Sequence, residues 1–179
     1  ARRFVRAEWR AQIYRFTQRW GRLPSHLDSH QHVALIPGLM RLYVELAAES
    51  GIHALRAPRE VRDLGDLPGP RAFHRLHETL VLSQLAERPR GLARRAGVSV
   101  PDSFAGFRQS GRMDESALLA LLPRLGERGG IAELMVHPGS ADAPGGYARK
   151  QERDALMSPR VRAALAAHGL QLGRFSDLP

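Results

Sequence analysis

The chain contains no cysteine, so disulfides and thiolate metal sites are excluded and the redox compartment stays open. No apolar run approaches the roughly 20 residues that a membrane-spanning helix requires. The first residues, Ala1-Arg2-Arg3-Phe4-Val5-Arg6, are charged and then amphipathic, without the apolar centre of a secretory leader. The expectation is therefore a cytoplasmic protein. Aromatic residues make up only 6% of the chain, too few for an evident base-stacking platform. No G-x-S-x-G turn exists to present a nucleophilic serine. Lysine is nearly absent as well: of 27 basic residues, all but Lys150 are arginine.

That arginine content gives a formal charge of +9, which by itself would favour a nucleic-acid partner. The distribution argues otherwise. Arginines run from Arg2 to Arg174 without a dense block and alternate with acids, as in Arg59-Glu60-Val61-Arg62-Asp63. No recognised nucleic-acid motif accompanies them. Solvated arginine is the better account, and no specific nucleic-acid partner is expected. At 179 residues the chain fits one domain spanning 1–179 with a substantial core.

The apolar pattern alternates between helical and strand periods. Phe4, Val5, Trp9, Ile13, Phe16 and Trp20 follow a 3.6-residue spacing and predict a helix over 2–20, stopped by Gly21 and Pro24. Ser25–Ser29 reads as a short strand end leading into a loop over His30–Pro37. A second helix is predicted over 38–50, then a short strand over Ile52–Ala57. Residues 59–70 read as loop and 71–96 as helix with a break near Pro89-Arg90-Gly91. Val98–Pro101 is a further strand, with Phe104–Phe107 in the loop after it. Asp114 offers an N-cap for a helix through Leu118, Leu122 and Leu125, closed by Gly129-Gly130. Ile131–Val136 is the clearest strand. A Gly/Pro-rich loop over 138–146, a helix over 151–168 and a last strand over Leu170–Phe175 complete the reading. Helices between well-separated strands predict an α/β fold with a mainly parallel sheet.

The chemistry-bearing residues concentrate in Ser25-His26-Leu27-Asp28-Ser29-His30-Gln31-His32. Three imidazoles and a carboxylate within eight residues could hold a divalent metal or move protons near neutral pH. Asp28, two residues before His30, could ligate a metal or orient a ligand imidazole. His30 and His32 could share one strand face or both turn into the loop. His137 lies downstream at the end of an apolar run, in Glu133-Leu134-Met135-Val136-His137-Pro138-Gly139. Its bland alternative is a structural strand cap. His53, His74, His77 and His168 sit on predicted helices or strands without acidic clustering and read as structural or solvated.

The segment Pro24–Val33, followed by Pro37, resembles the central motif of the YdjC-like carbohydrate deacetylases, a family that includes chitooligosaccharide deacetylases and a hopanoid-biosynthesis-associated deacetylase. Four further blocks follow in the family's order: Gly51–Glu60, Asp102–Phe107, Glu133–Gly139 and Gly169–Phe175. Ser110-Gly111-Arg112-Met113 leans toward the hopanoid-associated branch. The resemblance implies a distorted (β/α) barrel of the polysaccharide-deacetylase type. It implies hydrolysis of the N-acetyl group of an acetylated amino sugar or glycolipid, assisted by a divalent metal, Mg²⁺ or Zn²⁺. By position, His30 would ligate the metal, with Asp28 and His32 supporting it. His137 would be the general acid, and Arg56 and Phe104 would border the sugar. Homo-oligomerisation is left open.

The departures are equally specific. The family begins with a strand bearing Asp-Asp-Phe-Gly, and a later strand supplies another metal histidine. Neither block occurs in this chain, and Gln31 and Ala34 stand where histidine is common. The resemblance thus covers the C-terminal two thirds of the family. The barrel is expected to be incomplete at its N-terminus, the chain being a piece of a longer protein. The alternative is a non-catalytic binding domain of the same fold.

Overall fold

A computed structural model describes residues 2–59, 81, 84, 85, 87, 90–142 and 146–179. Residues 60–70 of the loop predicted over 59–70 and the start of the helix predicted over 71–96, with His74 and His77, lie outside the described residues. The chain parts into two compact units. Unit 1 takes the described residues of Ala1–Pro58, Leu82–Pro101 and Gly173–Pro179, and unit 2 those of Arg59–Val81 and Asp102–Leu172.

In unit 1, helix α1 spans Arg2–Trp20 and α2 spans Met40–Glu49. Trp9 and Ile13, one turn apart on α1, pack onto a core of Tyr43, Val44, Ala47, Ile52 and Leu55. The Trp9 and Tyr43 rings meet edge to face with centroids 6.0 Å apart. On the same side of α1, Arg6 bridges Glu49 at 2.6 Å and Glu45 at 3.2 Å, and Arg10 reaches Glu49 at 3.0 Å. Exposed pairs of this kind contribute little energy, so the apolar contacts hold the two helices together.

The strands predicted over Ser25–Ser29, Ile52–Ala57 and Val98–Pro101 shrink to parallel bridges, Leu27 with Leu55 and Ala54 with Ser99. The ladder is nonetheless real. Leu27 N–H donates to the Ala54 carbonyl at 3.1 Å, Arg56 N–H to Leu27 at 3.0 Å and Leu55 N–H to Ser99 at 2.9 Å. Three segments therefore run parallel, with 53–56 in the middle. The predicted loop after Ser29 winds instead into a 3₁₀ segment over His30–Leu35.

Unit 2 holds the second parallel pair. Strand β1, Ser103–Ala105, lies beside β2, Ala132–Leu134, with Phe104 opposite Glu133. Phe104, expected in a loop, is thus the middle of a strand. Gly106 (φ +111) follows β1 where a Cβ would lie 2.2 Å from the Met135 carbonyl oxygen. Only glycine lets the two backbones approach so closely at that φ. Helix α3, Glu115–Arg128, begins as expected: the Asp114 carboxylate accepts from Ala117 N–H at 2.9 Å. Leu118, Leu121, Leu122 and Leu125 form its buried stripe.

The helix predicted over 151–168 is two helices, α4 (Arg149–Met157) and α5 (Pro159–Ala167). Ser158 is extended and caps α5 with its hydroxyl, while Pro159 at the first helical position cannot continue α4. Both pack on α3 through Ala155 and Val161. No strand forms over Leu170–Phe175; that stretch is irregular and ends in a 3₁₀ turn, Phe175–Asp177.

Gly106→Ala is expected to destabilise the protein by roughly 3 kcal/mol or more, since the new methyl must displace Met135 from β1. Asp114→Ala, which removes only an N-cap, should cost about 1 kcal/mol. Urea titrations of both variants beside the parent protein check the order; equal losses would show that the Gly106 approach is relaxed in solution.

Candidate active site

The parallel ladder of unit 1 delivers Asp28 and Arg56 side by side, because each follows a residue of the Leu27–Leu55 bridge. Arg56 Nη1 donates to Asp28 Oδ2 at 2.5 Å. The guanidinium is the better buried partner, with 18% of its side chain exposed against 37% for Asp28. Tyr43, on α2, donates its hydroxyl to the Leu27 carbonyl at 2.5 Å and so ties the helix to the strand end.

The imidazoles nearby do not share a direction. His26 stacks on Phe175 with ring centroids 3.8 Å apart and planes within 6°, and its Nδ1 lies 3.0 Å from the Ser25 hydroxyl. His30 is exposed. His32 turns inward and is 9% exposed. The reversal comes from the backbone: Gln31 (φ 48) and His32 (φ 57) are both left-handed, a conformation uncommon outside glycine. Ser29 stabilises the turn by accepting from Ala34 N–H at 3.1 Å.

Burial pushes the pKa of His26 down; Asp28 opposes this and Arg56 adds to it. His32 is lowered chiefly by burial, then by Arg56, against the pull of Asp28. Both rings are therefore held neutral beside a carboxylate whose charge is matched by arginine.

The opening cluster does not converge as a metal site. Among the described residues no three His, Cys, Asp or Glu side chains gather where they could hold an ion. Asp28 is engaged with Arg56, His32 is buried, and His30 is exposed. Metal sites use three or four protein ligands, so these residues do not fit a metal on their own.

In unit 2, His137 follows β2 after Met135 and Val136; Met135 N–H continues the ladder onto Ala105 O at 2.8 Å. His137 backbone N–H donates to Glu152 Oε2, and Glu152 Oε1 accepts from Met113 N–H at 3.1 Å. Glu152, on α4, is fully buried. His137 Nδ1 lies 4.0 Å from Glu152 Oε2. The Tyr147 ring packs edge-on against the imidazole at 5.0 Å, and its hydroxyl lies 3.2 Å from Ser110 Oγ. Gly111 (φ +78) lets Tyr147 close over the turn, where a Cβ would meet the Tyr147 ring at 2.9 Å. Ser110–Met113 is thus the turn that seats Tyr147 and presents an N–H to Glu152.

Phe104, expected at the edge of the sugar site, is 1% exposed within β1. Glu152 is the residue that sequence reasoning missed. It stands in Arg149-Lys150-Gln151-Glu152-Arg153, a charged run that reads as a solvated helix face. Of the remaining histidines among the described residues, His53 is exposed and His168 closes α5.

The lowered histidines set a pH dependence of stability. A ring whose folded pKa is depressed contributes stability present above its unfolded value of 6.5 and lost as pH falls through the folded one. Thermal unfolding is expected to shift downward between about pH 7.5 and about pH 5, where an ordinary histidine titrates. His26→Phe, which keeps a ring against Phe175, should flatten that shift; an unchanged pH slope in the variant would rule His26 out as a source.

The model of the family described as YdjC-like protein matches residues 1–167. A mouse protein named carbohydrate deacetylase is 34% identical over 97% of this chain and 62% of its own length. A chitooligosaccharide deacetylase of Enterobacter sp. (strain 638) is 28% identical over 97% of this chain and 61% of its own. This chain spans about 60% of the length of these curated relatives. A crystal structure from Enterococcus faecalis V583, of a protein provisionally named for cellobiose-phosphate cleavage, superposes with a TM-score of 0.67. It covers 98% of this chain and 60% of that one at 23% identity, a likeness of fold. By the span of the family match and the identity to the mouse protein, this chain belongs to the YdjC-like family.

Proposed function

We propose that this chain is part of a carbohydrate deacetylase that hydrolyses the N-acetyl group of an acetylated amino sugar, free or carried on a lipid. What supports the reading above all is the likeness to carbohydrate deacetylases over 97% of the chain. The small parallel ladders, each with its polar residues at the strand exits, accord with a distorted (β/α) barrel.

Amide hydrolysis needs a water added to the carbonyl carbon and a proton delivered to the departing nitrogen, since an amine anion does not leave. His137 is assigned the second task. As imidazolium it donates a proton from Nε2 to the amine nitrogen as the C–N bond breaks, while the protons of the attacking water pass to a carboxylate base and to solvent, giving acetate and a free amino sugar. Its backbone is fixed at the end of β2 by Glu152, and its Nδ1 is buried while the side chain as a whole is 29% exposed. The exposed part of the ring is therefore elsewhere than Nδ1, as a proton donor to substrate requires.

Arg56 is assigned to the sugar. Its guanidinium is oriented by Asp28 at 2.5 Å, and a guanidinium is the kind of donor that sugar hydroxyl groups accept from. A divalent ion, Mg²⁺ or Zn²⁺, belongs to the proposal with exposed His30 as one ligand, the rest coming from protein outside the described residues. Bound there it would supply Lewis-acid activation of the acetamide.

The test is acetate release from N-acetylated chitooligosaccharides by the full-length protein, with added Mg²⁺ or Zn²⁺ and with chelator. His137→Ala is expected to lower kcat by about 10²–10⁴-fold, the usual contribution of a general acid, without unfolding the protein. His30→Ala should raise the metal concentration needed for half activity. Full turnover by His137→Ala would refute the role of His137, and no acetate from the parent protein with any divalent metal would refute the activity.

A further inference from the structure

We propose that Glu152 is the positioning residue for His137, fixing both its backbone and the nitrogen that carries the ring proton. The inference rests on the assignment of His137 as general acid, and it adds a residue that charge pattern alone places on the surface.

Glu152 is fully buried, yet among the described residues its carboxylate accepts hydrogen bonds from two backbone groups, the N–H of Met113 and the N–H of His137. A buried carboxylate without a counter-charge is costly. Among the described residues the ionisable side chain that meets it is His137, whose Nδ1 stands 4.0 Å from Oε2. Other charges around α4 are matched elsewhere: Glu115 pairs with Arg160 at 2.8 Å, and Asp154 with Arg153 at 2.7 Å. Tyr147, which also packs on the imidazole, turns its hydroxyl to Ser110.

His137 Nδ1 is buried and has no hydrogen-bond partner among the described residues. An ionised carboxylate only accepts. A bare Nδ1 lone pair would face it unfavourably, whereas an Nδ1–H points its positive end at Oε2. The geometry therefore favours the Nδ1–H tautomer of the neutral ring. That is the tautomer left behind when imidazolium gives up its Nε2 proton, so the carboxylate stabilises the product of the proton transfer without itself taking a proton. The 4.0 Å gap is longer than a hydrogen bond, and contacts of this kind tighten when substrate is bound.

The experiment reads the tautomer directly. Long-range ¹H–¹⁵N spectra of histidine-labelled full-length protein, at a pH where imidazole is neutral, distinguish Nδ1–H from Nε2–H; His137→Gln assigns the signal. The wild-type ring is expected as Nδ1–H, and Glu152→Met, which removes both acceptor oxygens, is expected to shift it toward Nε2–H. The same variant should lose at least about tenfold in kcat, part of what a general acid contributes, with KM within about threefold. A wild-type ring found as Nε2–H overturns the proposal. So does retention of Nδ1–H in Glu152→Met, whatever the turnover. If Glu152→Met does not fold, the wild-type tautomer alone decides. Because the spectra need no substrate, a failure of the deacetylase assignment leaves this outcome independently readable.

Discussion

The buried carboxylate of Glu152 joins three stretches of unit 2 that are far apart in sequence: the turn at Met113, the exit of β2 at His137, and α4. Backbone N–H groups at a turn and at a strand end have no ladder partner and must find an acceptor when buried. One carboxylate satisfies both. Its ionised form is an acceptor at both oxygens, so a half-turn of the carboxylate leaves the match intact. Around that joint the unit fills in with Met113, Ala155 and the leucine stripe of α3, and the positions of Tyr147 and His137 follow from it.

Unit 1 is organised by a different device. Short parallel bridges carry little stability on their own, and strands this brief depend on what covers them. Tyr43 meets that need by donating to the Leu27 carbonyl from α2, and Trp9 backs Tyr43 from α1. The strand exits then present Asp28 and Arg56 as a matched pair, so the charge at this edge is internally satisfied.

Elements that obey one strong local rule were legible in the sequence. Helices α1, α2 and α3 follow from apolar spacing, and the start of α3 follows from the Asp114 cap. The parallel direction of the ladders was legible from the helices between them. What escaped depended on partners distant in sequence. The apolar period runs through Ser158-Pro159, so the pair is hidden inside a longer helical pattern although it carries both a cap and a stop. Leu170–Phe175 alternates like a strand but finds no ladder to join. Phe104 reads as loop after the Val98–Pro101 strand, whereas the chain there pairs with β2. For the site, the histidine segments were legible by residue type and the buried Glu152 was not, since nothing local distinguishes it from the solvated charges beside it.

The fate of the three clustered histidines shows why spacing alone could not settle their roles. In an extended chain, residues two apart share a face, and His30 and His32 would point together. Gln31 and His32 instead adopt left-handed backbone, a conformation that costs roughly 1–2 kcal/mol for each residue with a side chain. Something must hold them there. Ser29 caps the turn through Ala34 N–H, and His32, Ala34 and Leu35 are all buried by the winding that follows. A continued strand would leave Ala34 and Leu35 on opposite faces, whereas the turn sends both inward. The apolar residues after the motif thus dictate the direction of the histidines within it: His32 is drawn into the core, and His30 is left in solvent at the strand exit.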